Sequence, residues 1–313
     1  MELNNQTMVT YFIIKGISDA PELQLPIFLL VLLIYLITLG GNLTILLLVC
    51  LDRHLRTPMY FFLSNLSILD MCSVTVTLHK VLIIFITKDN TVSYSPCMTQ
   101  MYFFGSLICD ELLLLTAMSY DRYVAICKPL HYHTSMNGRV CASLAIACWL
   151  FGFVEVIPYI ELLVGFSCYR SNIINHFFCD LVPLMKLSCS DTYLLEVLSL
   201  TEGLLLITIV PFMFTFISYV FIIMTIVRIR TSSGRLKAFY TCSSHLTVVV
   251  LLYGILLSQY LRPVSTNTSD SNRFFSLFNT AVVPMLNPLI YSLKNKDVKR
   301  ALARRLGCYR TTR

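Results

Sequence analysis

The chain has 313 residues, of which 56% are hydrophobic and only 13% charged, and its mean hydropathy is +0.72. A soluble domain carries about twice that share of charge to keep its surface wet. Composition therefore excludes an ordinary soluble enzyme or regulator and makes the bilayer the main solvent.

Residues 1–24 read as a polar outer segment. Residues 1–22 lack a charged start followed by an apolar run, so no cleavable signal peptide is expected and the first helix acts as its own insertion signal. Asn5 opens a glycosylation sequon there. Seven apolar blocks follow, at about 25–51, 58–86, 97–126, 140–164, 194–227, 238–261 and 274–293, so the bundle covers residues 25–293. The first holds no charge across more than the roughly 20 residues that span a bilayer core. Inside lipid the backbone can bond only to itself, so each block is read as a helix. The last segment, 294–313, begins with Val298, Leu302 and Leu306 at four-residue spacing with basic residues between, the pattern of a helix lying on the lipid surface. The predicted class is an all-α membrane protein: a seven-transmembrane helix bundle with a short amphipathic eighth helix and a cytoplasmic tail.

Orientation follows from the basic residues. Arg53, Arg56, Arg122, Lys128, Arg139, Arg228, Arg230, Arg235, Lys237 and eight more in 294–313 make 17 of the 24 Lys and Arg, and all fall on one side of the spans. By the positive-inside rule that side is cytoplasmic and the N-terminus is outside, at the plasma membrane. The net charge of +7 describes one membrane face, and nucleic acid is not an expected partner.

Of 12 Cys, four fall on the predicted outer face: Cys97, Cys168, Cys179 and Cys189. An even number in an oxidising compartment suggests two disulfides, with three pairings open. The other cysteines are read as packing residues or, for Cys308, a palmitoylation site. A second outer sequon begins at Asn267, whereas those at Asn42 and Asn65 fall inside helices and are chance matches.

This architecture alone leaves transporters, channels and receptors open. A transporter wants repeated halves and a polar midplane path, but no internal repeat is visible and the midplane acids Asp70 and Glu111 lie only in helices two and three. An enzyme wants metal-ligand spacing or a nucleophile with a base near it, and neither appears, so the chain is read as not an enzyme.

Local motifs decide. Helix three ends Met118-Ser119-Tyr120-Asp121-Arg122-Tyr123-Val124-Ala125-Ile126-Cys127, followed by Lys128-Pro129-Leu130-His131-Tyr132. Also present are Gly41-Asn42, the run from Pro58-Met59-Tyr60 to Ser67, Ser218-Tyr219, Lys237-Ala238-Phe239 with Thr241-Cys242-Ser243-Ser244-His245-Leu246, and Pro284-Met285-Leu286-Asn287-Pro288-Leu289-Ile290-Tyr291. Together they span nearly the whole chain, which resembles the vertebrate odorant receptors within the rhodopsin-like G-protein-coupled receptors. Departures are Tyr240 in place of Ser, Ser119 in place of Ala, and His79 in place of a Pro that kinks helix two. The last would straighten that helix, since His restores a backbone bond.

The resemblance implies a receptor for a small odorant that activates a stimulatory, olfactory-type heterotrimeric G protein and raises cyclic AMP, with membrane lipid as the remaining partner and sensory cilia as its place. The alternative is a rhodopsin-like receptor for a non-odorant metabolite expressed outside the olfactory epithelium. Asp121, Arg122, Tyr123, Tyr219, Asn287, Pro288 and Tyr291 would form the activation and coupling machinery, with Arg122 held by Asp121 until a partner takes it. Asn42, Asp70, Glu111 and Asn287 would hold a sodium ion or share a proton; no other cofactor is expected. The expected disulfides are Cys97 with Cys179, tying the long outer connection to helix three, and Cys168 with Cys189.

The implied pocket lies in the outer half of the bundle. Its lining is Phe104, Gly105, Ile108 and Cys109 on helix three, Gly203, Leu204 and Ile207 on helix five, Tyr253, Ile255, Leu256 and Tyr260 on helix six, and Leu277 and Thr280 on helix seven. Such a lining suits a mostly apolar ligand oriented by one or two hydrogen bonds. Asp110 lies about 200° round its helix from Ile108, and Glu202 about 100° from Gly203. Those two are expected at a helix interface or the headgroup boundary, so although Glu155 adds a third carboxylate on helix four, the expected ligand is neutral and anchored by the Tyr260 phenol.

Overall fold

The computed structural model of the chain describes residues 9–18, 20–166, 168–260, 269–294 and 296–305. The architecture is a seven-helix bundle with an eighth helix beneath it and a small three-stranded sheet at one end.

Helix α1 runs Pro21–Leu51, α2 Pro58–Thr87 and α3 Tyr94–Cys127. Helix α4 spans Gly138–Val164, broken after Glu155, and α5 spans Tyr193–Arg228. Helix α6 is Ser232–Tyr260, bent by 40° between Tyr240 and Cys242. Helix α7 comprises Ser269–Leu277, Phe278–Val282 and Val283–Lys294, and α8 is Lys296–Arg305. Several helices begin before their apolar blocks. In α1 the start is Pro21, because proline at the first helical position sacrifices no hydrogen bond. In α6 the polar turns from Ser232 are helical although hydropathy gives no sign of them. Helix α2 runs 30 residues without an interior proline, as His79 allows.

Helix α3 is the axis, packed against α2, α4 and α5, while α1 leans on α2 and α7. Its most apolar stretch is 67% buried, against 17% for α1. The reason is visible on α1, where Leu29, Leu30, Leu33, Leu36, Leu43 and Leu47 are exposed in a stripe that only lipid can cover. Between helices, lipid removes the hydrophobic advantage of burial, so close approach and polar contacts hold the bundle. At Gly152 of α4 an added Cβ would sit 2.1 Å from the Asp110 carboxylate and 2.9 Å from the Ser106 carbonyl. At Gly41 of α1 it would meet the Pro288 ring at 3.0 Å.

Prolines shape three helices. Pro158 has no N–H to give, and α4 breaks between Glu155 and Ile157. Helix α5 opens into wide, π-type turns over Ser199–Ile209, just before Pro211, with Thr208 Oγ1 donating to the Gly203 carbonyl at 2.9 Å. Helix α7 does the same over Phe278–Val282, just before Pro284.

The sheet forms a lid. Strand β1, Tyr11–Ile14, pairs antiparallel with β2, Thr91–Ser93, and parallel with β3, Ile173–Ile174. Alternation in Tyr11-Phe12-Ile13-Ile14 turns Phe12 inward, fully buried, edge-on to Tyr169 at 5.3 Å. Reading residues 1–24 as a polar segment missed this strand. Disulfides Cys97–Cys179 and Cys168–Cys189, with Cα separations of 5.5 and 5.4 Å, fasten the lid to α3 and close its own loop. Gln100 adds a bridge, accepting from Cys179 N at 3.0 Å and donating to the Val76 carbonyl at 2.6 Å.

At the far end α8 buries Val298 and Ala301 and leaves Lys299, Arg300, Arg304 and Arg305 outward. Asp52, just after α1, accepts from Arg304 at 2.5 and 3.2 Å, and that pairing holds its carboxyl below the usual range. Leu306 and Cys308 lie outside the described residues, as do Asn5 and Asn267.

Candidate functional site

A cavity of about 390 Å³ lies under the lid, walled by α3, α4, α5, α6, α7 and the segment after Cys179. Of the expected lining, Phe104, Gly105, Ile108, Cys109, Gly203, Ile207 and Leu256 are on the wall. Leu204, Tyr253, Ile255, Leu277 and Thr280 are not among the wall residues: Tyr253 is buried in the main core against Phe212, with centroids 5.1 Å apart. Thr280 spends its hydroxyl on the Ser276 carbonyl at 2.8 Å. The α7 wall is Ser276 and Asn279, each one residue before the expected position. A wide turn supplies that offset, because one residue is about 100° of rotation. The side chain of Tyr260 lies outside the described residues.

The wall also contains Glu155, Val156, Tyr159 and Ile160, which sequence reasoning missed. Pro158 was the available signal, since a break there turns the following residues inward. Glu155, which the expected lining left out, lines the cavity, with one carboxylate oxygen buried and unpartnered among the described residues. Asp110 is fully buried against Gly152, and Glu202 is not on the wall. The expectation of a neutral ligand loses its support at Glu155.

Over the cavity, His176 is buried with neither ring nitrogen bonded among the described residues, and Nε2 is 3.9 Å from Asp180 Oδ2. Desolvation, then the nearby Arg273 guanidinium, depresses the His176 pKa to about 3. Burial raises Asp180, which also lines the cavity, to about 6. Arg273 of α7 binds the lid through the Asn175 carbonyl and amide oxygens and the Ile17 carbonyl. An arginine directly before a predicted span, on the side poor in basic residues, was the signal for it.

Toward the middle of the bundle, Asn287 donates to both Asp70 oxygens at 3.0 and 3.2 Å. Asn42 donates to the Thr38 and Pro284 carbonyls at 3.1 and 3.3 Å. Glu111 lies within electrostatic reach of Asp70, and its Oε1 is buried and unpartnered among the described residues. Oxygen-rich and acidic, this cluster has the donor set that a hard monovalent cation or a shared proton requires.

At the far end of α3, Asp121 is fully engaged. Arg122 binds one oxygen through both Nε, at 2.9 Å, and a terminal nitrogen, and the Tyr132 hydroxyl donates to the other at 2.8 Å. Burial, reinforced by Asp121, keeps the Tyr132 phenol well above its ordinary pKa, so it stays a donor. Tyr219 meets His245 Nδ1 at 2.6 Å, and His245 Nε2 reaches the Leu115 carbonyl at 3.1 Å. A carbonyl only accepts, so Nε2 carries a hydrogen, and in the neutral ring Nδ1 accepts from Tyr219. Tyr291 is buried with its hydroxyl unpartnered among the described residues. Tyr123 packs on Phe221 at 6.0 Å. Pro288 sits inside α7, against Gly41. Asn42 and Asn65, the sequon asparagines inside helices, are used in packing, Asn65 by accepting from Trp149 Nε1 at 3.1 Å.

A family model described as olfactory receptor matches residues 31–308. Olfactory receptor 8G50 of Mus musculus is 48% identical over 302 residues, 96% of each chain. Olfactory receptor 8D1 of Homo sapiens is 47% identical over 303 residues, 96% of this chain and 98% of the relative. Olfactory receptor 5AR1 of Mus musculus is 46% identical over 309 residues, 98% and 99%.

Proposed function

This chain belongs to the olfactory receptor family, a family of multi-pass membrane receptors and not of enzymes, and we propose that it binds a small, mostly apolar odorant in the cavity under the lid. It sits in the plasma membrane with the lid outside and α8 on the cytoplasmic lipid face. Occupancy of the cavity releases Arg122, and the opened end of the bundle engages a stimulatory, olfactory-type heterotrimeric G protein that raises cyclic AMP.

The observation that carries this reading is that one helix touches both ends. Helix α3 supplies Phe104, Gly105, Ile108 and Cys109 to the cavity wall and, a few turns on, the Asp121–Arg122 latch. A displacement at the wall reaches the latch through a rigid element, where Tyr219 and Tyr291 stand ready to repack. Asp70 and Glu111, with the amides of Asn42 and Asn287, would hold a sodium ion or share a proton between the two ends, and that neutralisation belongs to the resting state.

The test is a cyclic-AMP reporter screen of the full-length receptor against a chemically diverse odorant panel, repeated with Arg122→Ala. An agonist should raise cyclic AMP in the unaltered receptor and fail in the variant, whose surface level should persist because Arg122 serves the active state more than the fold. A variant that signals fully at normal surface level overturns the role of Arg122.

A further inference from the structure

The cavity wall carries two carboxylates and, among the described residues, no Lys, Arg or His. Glu155 stands at the break in α4, with one oxygen buried and without a hydrogen-bond partner among the described residues. Asp180 reaches the wall from the lid, and Glu202 lies close enough to Glu155 for their charges to interact. The Arg273 guanidinium is spent on the lid backbone and Asn175. A second, independent feature points to a polar ligand group. Asn279 is only 8% exposed and lines the same cavity, yet no hydrogen bond reaches its side chain among the described residues.

From these we infer that the cavity selects a ligand with a protonated amine seated against Glu155, an apolar body along Ile108 and Leu256, and any second polar group at Asn279. The inference rests on the cavity being the odorant site. An anion there would lose its water beside two carboxylates with no countercharge, which is costly. A neutral alcohol offers one donor and leaves the acid without a counterion. An ammonium supplies up to three donors and the missing charge, and charge-assisted hydrogen bonds are the strong ones.

The experiment compares hexylamine, hexanol and hexanoate on the full-length receptor. It reads cyclic AMP in cells and, in parallel, thermal stabilisation of the purified receptor by each compound. The amine should outrank the alcohol by about tenfold or more, as loss of a hydrogen bond to a charged group predicts, and hexanoate should be silent in both readouts. Glu155→Gln should remove the amine's advantage, leaving hexylamine no more potent than hexanol, because the variant keeps an acceptor at that place but no charge. If that variant does not reach the surface, the ranking on the unaltered receptor decides alone. Stabilisation by the amine with no cyclic-AMP response to any compound upholds the inference and removes the coupling reading. Responses led by hexanol or hexanoate keep the coupling and overturn the inference, as does an amine preference that survives Glu155→Gln at normal surface level. Absence of any response or stabilisation also overturns it.

Discussion

At the lid end, polar groups wait. A Glu155 oxygen and both His176 nitrogens are buried without partners among the described residues, no hydrogen bond reaches the Asn279 amide there, and the helices around them are broken or widened by Pro158, Pro211 and Pro284. At the latch end most are answered: both Asp121 oxygens are bonded, Tyr219 and His245 bond each other, and Asp52 holds Arg304. Ser119 and Tyr291 are exceptions there, their hydroxyls unpartnered among the described residues. An unmade bond to a buried polar group is more costly than a made one is favourable. The lid end is therefore the part whose energy a small molecule can change most, and the latch end the part that keeps one arrangement until something larger replaces its contacts.

The sharpest way to break this contrast is to cut the lid loose. Cys97→Ser removes a bridge that closes 82 residues of chain. The expected cost is about 2–5 kcal/mol, seen as loss of surface-labelled receptor and a lower melting temperature of what can be purified. Normal surface level and melting would mean that β1 and Arg273 hold the lid unaided.

Acid provides a finer probe of the same end. Because the folded pKa of His176 is depressed to about 3, its contribution is intact above the ordinary value of 6.5 and declines as pH falls below it. Asp180 acts oppositely: its folded pKa, raised to about 6 from 3.8, favours the fold at low pH and loses that contribution as pH rises through 6. Between about pH 7 and pH 5 the two largely offset each other in the unaltered receptor. His176→Phe should then make the receptor more stable at about pH 5 than at pH 7 by about 1 kcal/mol, and Asp180→Asn should make it less stable by about 2 kcal/mol. Thermal melting across that range checks both, and equal slopes in the two variants would remove the pair.

The smallest effect belongs to the latch end. Asp52→Asn leaves Arg304 exposed to water, so melting should fall only slightly, and the difference should vanish at high salt. A large, salt-independent loss would show that α8 is held there by more than a screened pair.

Hydropathy made the seven spans legible, and the motif made the Asp121–Arg122 pair legible, because both depend on residue type at fixed separation. The helix ends were less legible: Pro21–Gln24 and the first polar turns of α6 are helical for reasons of capping and packing that apolar runs do not record. Glu155 was left off the expected wall because α4 was read as one helix through Pro158. Ser276 and Asn279 were missed by one residue each because α7 was counted as uniform α-helix. The strand at Tyr11–Ile14 is too short to declare itself, and it exists because Thr91–Ser93 and Ile173–Ile174 are brought beside it by the bundle and the Cys97–Cys179 bridge.

The wide turns in α5 and α7 also set how a signal can travel along a helix. A π turn holds one more residue per turn than its neighbours, and the helix can shed that residue only by winding it past the rest. If Phe278–Val282 tightened to ordinary α geometry, the part carrying Ser276 would rotate by about 100° against the part carrying Asn287 and Tyr291. The same holds for the Ser199–Ile209 stretch of α5 relative to Tyr219. Such a helix works as a screw thread with one loose turn: torque applied at the cavity appears at the other end as twist, in whole-residue steps, without any backbone bond being left open to lipid.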